Sequence, residues 1–97
     1  MIMEVLSIIQ AANSIIRAHV TPEYKTVLFG SHAQGNALPT SDIDIGIIGP
    51  DRVPFSVMTK ILDKIEEIPT LRKIDIVDLR TVDIMFQKNV LSYAKRI

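Results

Sequence analysis

Three short segments rich in β-branched residues constrain the fold of this chain more than any other feature. They are Lys25–Phe29 (KTVLF), residues 42–48 (DIDIGII) and residues 73–79 (KIDIVDL). Their length and bulky apolar side chains predict β-strands. Because three strands alone would leave large apolar faces in water, we expect helices to pack on the sheet that they form.

Apolar residues at helical spacing occupy three segments around these strands, and a proline follows each of the first two segments. The segments expected to be helical are residues 3–19, residues 54–67, and a last one from Thr81 or Val82 to the end of the chain. A short helical turn, capped by Ser31, is expected from Ser31 to Gln34. The sequence therefore predicts one α/β (α+β) domain over residues 1–97, with a small mixed sheet of three to four strands.

Composition excludes several classes of function. The chain has 97 residues, a formal net charge of zero and no cysteine. Binding of nucleic acid through its phosphates requires a basic surface, so we do not expect it here. Without cysteine, disulfides and thiolate catalysis are excluded. The apolar N-terminal segment is interrupted by charged residues, so we expect neither a signal peptide nor a membrane span, and we expect a cytoplasmic protein.

Two aspartates open the second predicted strand. Side chains two positions apart project from the same face of a strand, so Asp42 and Asp44 lie together. Such carboxylates repel each other unless a cation lies between them, and Mg²⁺ prefers oxygen ligands. Asp75 joins this face if Ile74 and Ile76 pack against the helices. Three carboxylates then converge, one of them as a bridging ligand or a base.

Gly30 and Ser31 lie where the first strand turns into the short helical segment. Backbone amides at such a turn point outward, and glycine lets a phosphate approach closely. Ser31 adds a hydroxyl donor. A phosphate-binding turn beside paired carboxylates is suited to metal-assisted phosphoryl or nucleotidyl transfer.

Together these residues form a recognisable pattern: Gly30-Ser31, ten further residues, Asp42-x-Asp44, and Asp75 on a later strand. The pattern resembles the nucleotidyltransferase superfamily related to DNA polymerase β, and the short chain is similar to its minimal members, called MNT domains. The resemblance spans nearly the whole chain. It implies a polymerase β-like fold that uses two Mg²⁺ ions to transfer a nucleoside monophosphate from a triphosphate, releasing pyrophosphate.

The resemblance also implies roles for individual residues. They are triphosphate binding by Gly30, Ser31 and Gln34, and metal binding and catalysis by Asp42, Asp44 and Asp75. Many minimal members are similar to antitoxins that silence a helical HEPN toxin, in some cases by adding AMP from ATP to a toxin tyrosine. A HEPN-type protein is therefore the partner that the resemblance implies.

Gln34 leaves an alternative open. The family often has a basic residue at this position, whereas Gln34 donates hydrogen bonds but does not neutralise phosphate charge. A non-catalytic module that inhibits a partner by contact alone is the second hypothesis. The sequence assigns no role to His32, and Lys73 is as well explained by solvation beside Asp75 as by a phosphate contact.

The first and last helices carry more apolar residues than a three-stranded sheet readily covers. The surplus consists of Ile2, Ile9, Val20, Phe86 and Ile97. Together with the neutral net charge, it predicts a protein–protein surface, used in a homo-oligomer or a hetero-oligomer.

Overall fold

The computed structural model describes residues 4–97, and its elements follow the predicted order up to the last helix. The elements are α1 (Val5–His19), β1 (Lys25–Phe29), α2 (Ser31–Gln34), β2 (Ile43–Ile48), α3 (Phe55–Ile65), β3 (Ile74–Asp78), α4 (Ile84–Tyr93) and β4 (Lys95–Arg96). The predicted start of α1 at Met3 lies outside the described residues. The other predicted bounds differ from these by three residues or fewer, apart from the end of the last helix.

The four strands form one mixed sheet in the order β3-β2-β1-β4. β1 runs antiparallel to both β2 and β4, whereas β2 and β3 are parallel. α3 forms the crossover between the two parallel strands, as expected for a strand–helix–strand unit. The prediction of a small mixed sheet of three to four strands is therefore confirmed.

One face of the sheet is covered by α1 and α3. The alternating isoleucines of β2 point to this face, and Ile43, Ile45 and Ile47 have no exposed surface. They pack against Ile8 and Ile61 from the two helices in the larger of two apolar cores. Burial of the isoleucines fixes the register of β2, because a shift by one residue would exchange the two faces. Asp44 must therefore project from the opposite face.

α4 covers part of that opposite face. Val90 of this helix packs on Val27, Phe29 and Leu79 in the smaller core. α4 does not run to the end of the chain as predicted. It ends at Tyr93, and the following residues pair with β1 as β4, with Arg96 opposite Val27. Local apolar periodicity favoured a longer helix, but pairing with the free edge of β1 stabilises the extended conformation instead.

Two further expectations are wrong in detail. Ser31 is not a helix cap, because the residue that precedes α2 is Gly30 and no side chain caps the helix. The proposed surplus of apolar residues is also smaller, since Ile9 is buried and both Val20 and Ile97 pack on the larger core. Ile2 lies outside the described residues. The large apolar side chains that are exposed are Leu6, Leu38, Phe55, Leu62, Leu71, Ile84, Met85, Phe86 and Leu91.

Candidate active site

A row of carboxylates crosses two neighbouring strands at one end of the sheet. Asp44 of β2 is paired in register with Asp75 of β3. On its other side Asp44 is paired with Phe29, the last residue of β1. Three strand ends therefore meet at the carboxylate row, and the β-sheet register that buries the isoleucines of β2 also brings Asp44 and Asp75 together.

Gly30 immediately follows β1 and lies directly against this row. Its backbone has φ 71° and ψ −158°, a conformation that only glycine adopts without strain. A Cβ atom at Gly30 would lie 2.1 Å from Oδ2 of Asp44, far inside van der Waals contact. The sequence predicted a glycine that lets phosphate approach. The structure shows a second reason for glycine, which is the close approach of the Asp44 carboxylate.

The carboxylate of Asp44 lies in an electrostatically unfavourable position. Burial raises its pKa above the ordinary value, and so do the charges of Asp75 and Asp42 and a hydrogen bond with Asp75. His32 is close enough to act in the opposite direction and lowers the pKa of Asp44. Asp44 is therefore within electrostatic range of both Asp75 and Asp42, and a cation beside Asp44 would relieve the repulsion.

The turn after β1 presents backbone amides. The Gly30 carbonyl accepts hydrogen bonds from the amides of Ala33 and Gln34, both at 3.1 Å, which fixes the short helix α2. The first amides of a helix have no intrahelical acceptor. Among residues 4–97, the amides of Ser31 and His32 likewise have no acceptor. These two amides are free to bind a ligand oxygen.

The remaining predicted site residues differ in their surroundings. Gln34 is exposed at the end of α2, and Asp42 is exposed just before β2. Nζ of Lys73 lies 3.6 Å from Oδ1 of Asp75, and the Lys73 side chain is largely solvated. Nε2 of His32 lies 3.4 Å from the Ser41 carbonyl oxygen, and this contact joins α2 to the loop before β2.

Asp78 lies on the face opposite Asp75, as the odd spacing predicts. Its carboxylate is buried and accepts hydrogen bonds from the amides of Val53 at 2.7 Å and Arg80 at 3.0 Å. Asp78 therefore holds the end of β3 against the segment before α3, and it takes no part in the carboxylate row.

Tyr93, at the end of α4, also contacts the site. Its hydroxyl oxygen accepts a hydrogen bond of 3.0 Å from the amide of Gly30. The two residues are 63 positions apart. Only the position of α4 on the sheet, which local patterns do not predict, brings them together.

The donor set suits magnesium. All three candidate ligands are carboxylates, and burial together with the charges of Asp75 and Asp42 raises the pKa of Asp44. Across residues 4–97, no three acidic, histidine or cysteine side chains are close enough to form a metal site by themselves. This arrangement is compatible with Mg²⁺, which one or two carboxylates usually hold together with substrate phosphates. Asp44 and Asp75, with Asp42 beside them, are the residues that would hold it.

The geometry and the sequence place the chain in a known family. The family model described as "Polymerase beta, Nucleotidyltransferase" matches residues 10–97. The chain therefore belongs to the polymerase beta nucleotidyltransferase family, as its motifs predicted. No curated protein matches the chain. In the described part of the chain, no helix is sufficiently long and apolar to span a bilayer.

Several solved structures of toxin–antitoxin complexes share this fold. A chain of "the toxin-antitoxin with AMP-PNP" is 25% identical with a TM-score of 0.70, over 90% of this chain and 69% of that one. A chain of an MntA-HpeT mutant complex is 25% identical with a TM-score of 0.67, over 98% and 72%. A third chain, from tri-AMPylated Shewanella oneidensis HEPN toxin in complex with MNT antitoxin, is 24% identical with a TM-score of 0.61, over 92% and 70%. The expected similarity to MNT antitoxins is confirmed.

Proposed function

We propose that this chain is a Mg²⁺-dependent nucleotidyltransferase that transfers AMP from ATP to a hydroxyl group of a HEPN-type helical partner and thereby acts as its antitoxin. The observation that carries the proposal is the contact between the Gly30 turn and the carboxylate row of Asp44 and Asp75. Membership of the nucleotidyltransferase family supports the reaction class. AMP-PNP and an AMPylated toxin in similar complexes support the nucleotide and the acceptor.

The residues of the site have different roles in the proposed reaction. The free amides of Ser31 and His32 bind oxygens of the triphosphate, and Gln34 adds a neutral donor nearby. Asp42, Asp44 and Asp75 are the residues that would hold Mg²⁺ and, through it, the nucleotide. When bound, Mg²⁺ supplies charge neutralisation on the phosphates and on the leaving pyrophosphate.

We assign to Asp75 the role of activating the acceptor hydroxyl group. The acceptor hydroxyl oxygen forms a bond to the α-phosphorus, and the bond from that phosphorus to the oxygen bridging to the β-phosphate breaks. Pyrophosphate leaves with that oxygen, and the hydroxyl proton moves to Asp75 as general base. The products are an AMP ester of the acceptor and pyrophosphate.

Label transfer from ATP tests the proposal directly. The chain is incubated with Mg²⁺, α-labelled ATP and a purified HEPN-type protein encoded beside it. We expect label on the partner with the wild-type chain and none with the Asp42→Asn, Asp44→Asn double variant. Asp63→Asn, at an exposed position of α3, provides a control that removes a carboxylate away from the carboxylate row. Equal labelling by the wild type and the double variant would refute the assigned roles.

A contact-only module is the second candidate function. It is favoured by the exposed apolar side chains of α4, namely Ile84, Met85 and Phe86, and by the uncharged Gln34. In that case, the double variant would inhibit the partner as strongly as the wild-type chain does, and ATP would have no effect. Loss of inhibition without ATP or without the two aspartates would instead support transfer.

A further inference from the structure

Gly30 has a φ of 71° and a ψ of −158°, a backbone conformation that glycine adopts without strain but other residues do not. Because glycine has many accessible conformations, the one seen here is selected by contacts with its surroundings. One contact is formed by α2, whose amides donate to the Gly30 carbonyl. A second is the Asp44 carboxylate, which occupies the space beside the Cα atom. The third is the hydroxyl of Tyr93 on the Gly30 amide.

Some polar groups of the turn are engaged in these contacts, and others are free. The Gly30 amide is directed to Tyr93 and is therefore not available to a ligand. The next two amides, of Ser31 and His32, have no acceptor among residues 4–97. The hydrogen bond from Gly30 to Tyr93 fixes the peptide plane that precedes these free amides. The direction in which they point thus depends on the position of the Tyr93 hydroxyl.

Tyr93 is itself held firmly enough to act as an anchor. It is the last residue of α4 and is half-buried beside Val90 in the smaller core. The chain then continues directly into β4, where Lys95 pairs with Leu28 of β1. Tyr93 is thereby connected through β4 to the strand that ends next to Gly30.

We propose that Tyr93 is a positioning residue for the nucleotide, acting through the Gly30 amide to orient the phosphate-binding turn. This inference rests on the proposed function, because it assumes that the turn binds a triphosphate. Removal of the hydroxyl leaves the Gly30 amide without a partner and loosens the turn. One hydrogen bond of this kind corresponds to a loss of nucleotide affinity of about threefold to tenfold.

The chain supplies a matched control for this test. It has two tyrosines and no tryptophan. The hydroxyl of Tyr24 lies 3.4 Å from the Arg52 carbonyl oxygen in an exposed contact that does not involve the turn. Tyr24→Phe and Tyr93→Phe therefore each remove one hydroxyl group and leave the aromatic ring in position, but only Tyr93→Phe removes a contact with the turn.

The experiment measures the dissociation constant of Mg²⁺–AMP-PNP and the urea unfolding curve for the wild type and both variants. We expect Tyr93→Phe to weaken nucleotide binding by about threefold to tenfold and Tyr24→Phe to leave it unchanged. A purely structural role would lower only the unfolding midpoint of Tyr93→Phe, with its nucleotide affinity unchanged, and that result would overturn the inference.

Failure of this inference can be distinguished from failure of the proposed function. Binding of Mg²⁺–AMP-PNP by the wild type, with unchanged affinity in Tyr93→Phe, would overturn the inference but leave the proposed function standing. Absence of nucleotide binding by the wild-type chain would overturn both.

Discussion

Replacement of Gly30 by Ala should lower the free energy of unfolding far more than the same change at Gly35. Both glycines have positive φ, 71° and 81° respectively. Gly35 has ψ 13°, in the left-handed helical region, and an added Cβ would meet no heavy atom within 4 Å. Gly35→Ala should therefore lower the free energy of unfolding only by the cost of the left-handed backbone conformation, about 1 kcal/mol.

Gly30→Ala has a larger backbone cost and, in addition, a steric clash. The backbone lies in a region occupied essentially only by glycine, which costs about 1–3 kcal/mol. The new Cβ would also lie 2.1 Å from Oδ2 and 3.0 Å from Cγ of Asp44. Asp44 must leave its preferred rotamer, at a cost of about 1 kcal/mol. The sum is about 2–4 kcal/mol, which corresponds to a fall in Tm of about 10–25 °C for a domain of this size.

Urea unfolding at pH 7 measures both substitutions on the same scale. Because the Asp44 carboxylate is displaced, Gly30→Ala should also abolish Mg²⁺-dependent nucleotide binding, whereas Gly35→Ala should retain it. Equal losses of stability in the two variants, or normal nucleotide binding by Gly30→Ala, would show that Gly30 and Asp44 do not contact each other as described.

Three other substitutions test individual interactions. Asp44→Asn should stabilise the metal-free protein at pH 7 by about 0.5 kcal/mol, because burial and neighbouring carboxylates raise the pKa of Asp44. This gain should disappear at acid pH, where Asp44 is protonated in both the folded and the unfolded state, and thermal unfolding in a chelator at both pH values measures it. Asp83→Ala should lower the free energy of unfolding by about 1 kcal/mol, since the Asp83 side chain accepts from the amides at the start of α4; loss of α4 helicity by circular dichroism should accompany it. Asp78→Ala should cost about 1–3 kcal/mol in urea unfolding because it leaves the Val53 amide buried without an acceptor, and an unchanged midpoint would contradict that contact.

The sequence was sufficient to predict most of the fold, for physical reasons. Alternation in residues 42–48 required one buried face, and burial of isoleucine required that face to be the one without Asp44. Alternation in the next strand likewise places Asp75 beside Asp44, as the structure confirms, and it leaves Asp78 on the opposite face. These predictions depended on a period of two residues, which is a local property of a strand.

The features that were not predicted depend on contacts distant in sequence. Lys95 and Arg96 carry no strand pattern, and they become β4 only because the edge of β1 is free to pair. Tyr93 fits an apolar helix face equally well whether or not its hydroxyl has a partner 63 residues away. The conformation of Gly30 was also not predictable, since glycine is compatible with an ordinary turn.

A binding map by NMR will show whether the Gly30 turn and the carboxylate row together form a Mg²⁺–nucleotide site. The ¹⁵N-labelled chain is titrated with AMP-PNP in the presence and absence of Mg²⁺. We expect the largest amide shifts at Ser31, His32, Asp44 and Asp75, and we expect them to require Mg²⁺. Shifts centred elsewhere, for example around Phe55, or shifts that are the same without Mg²⁺, would contradict this expectation.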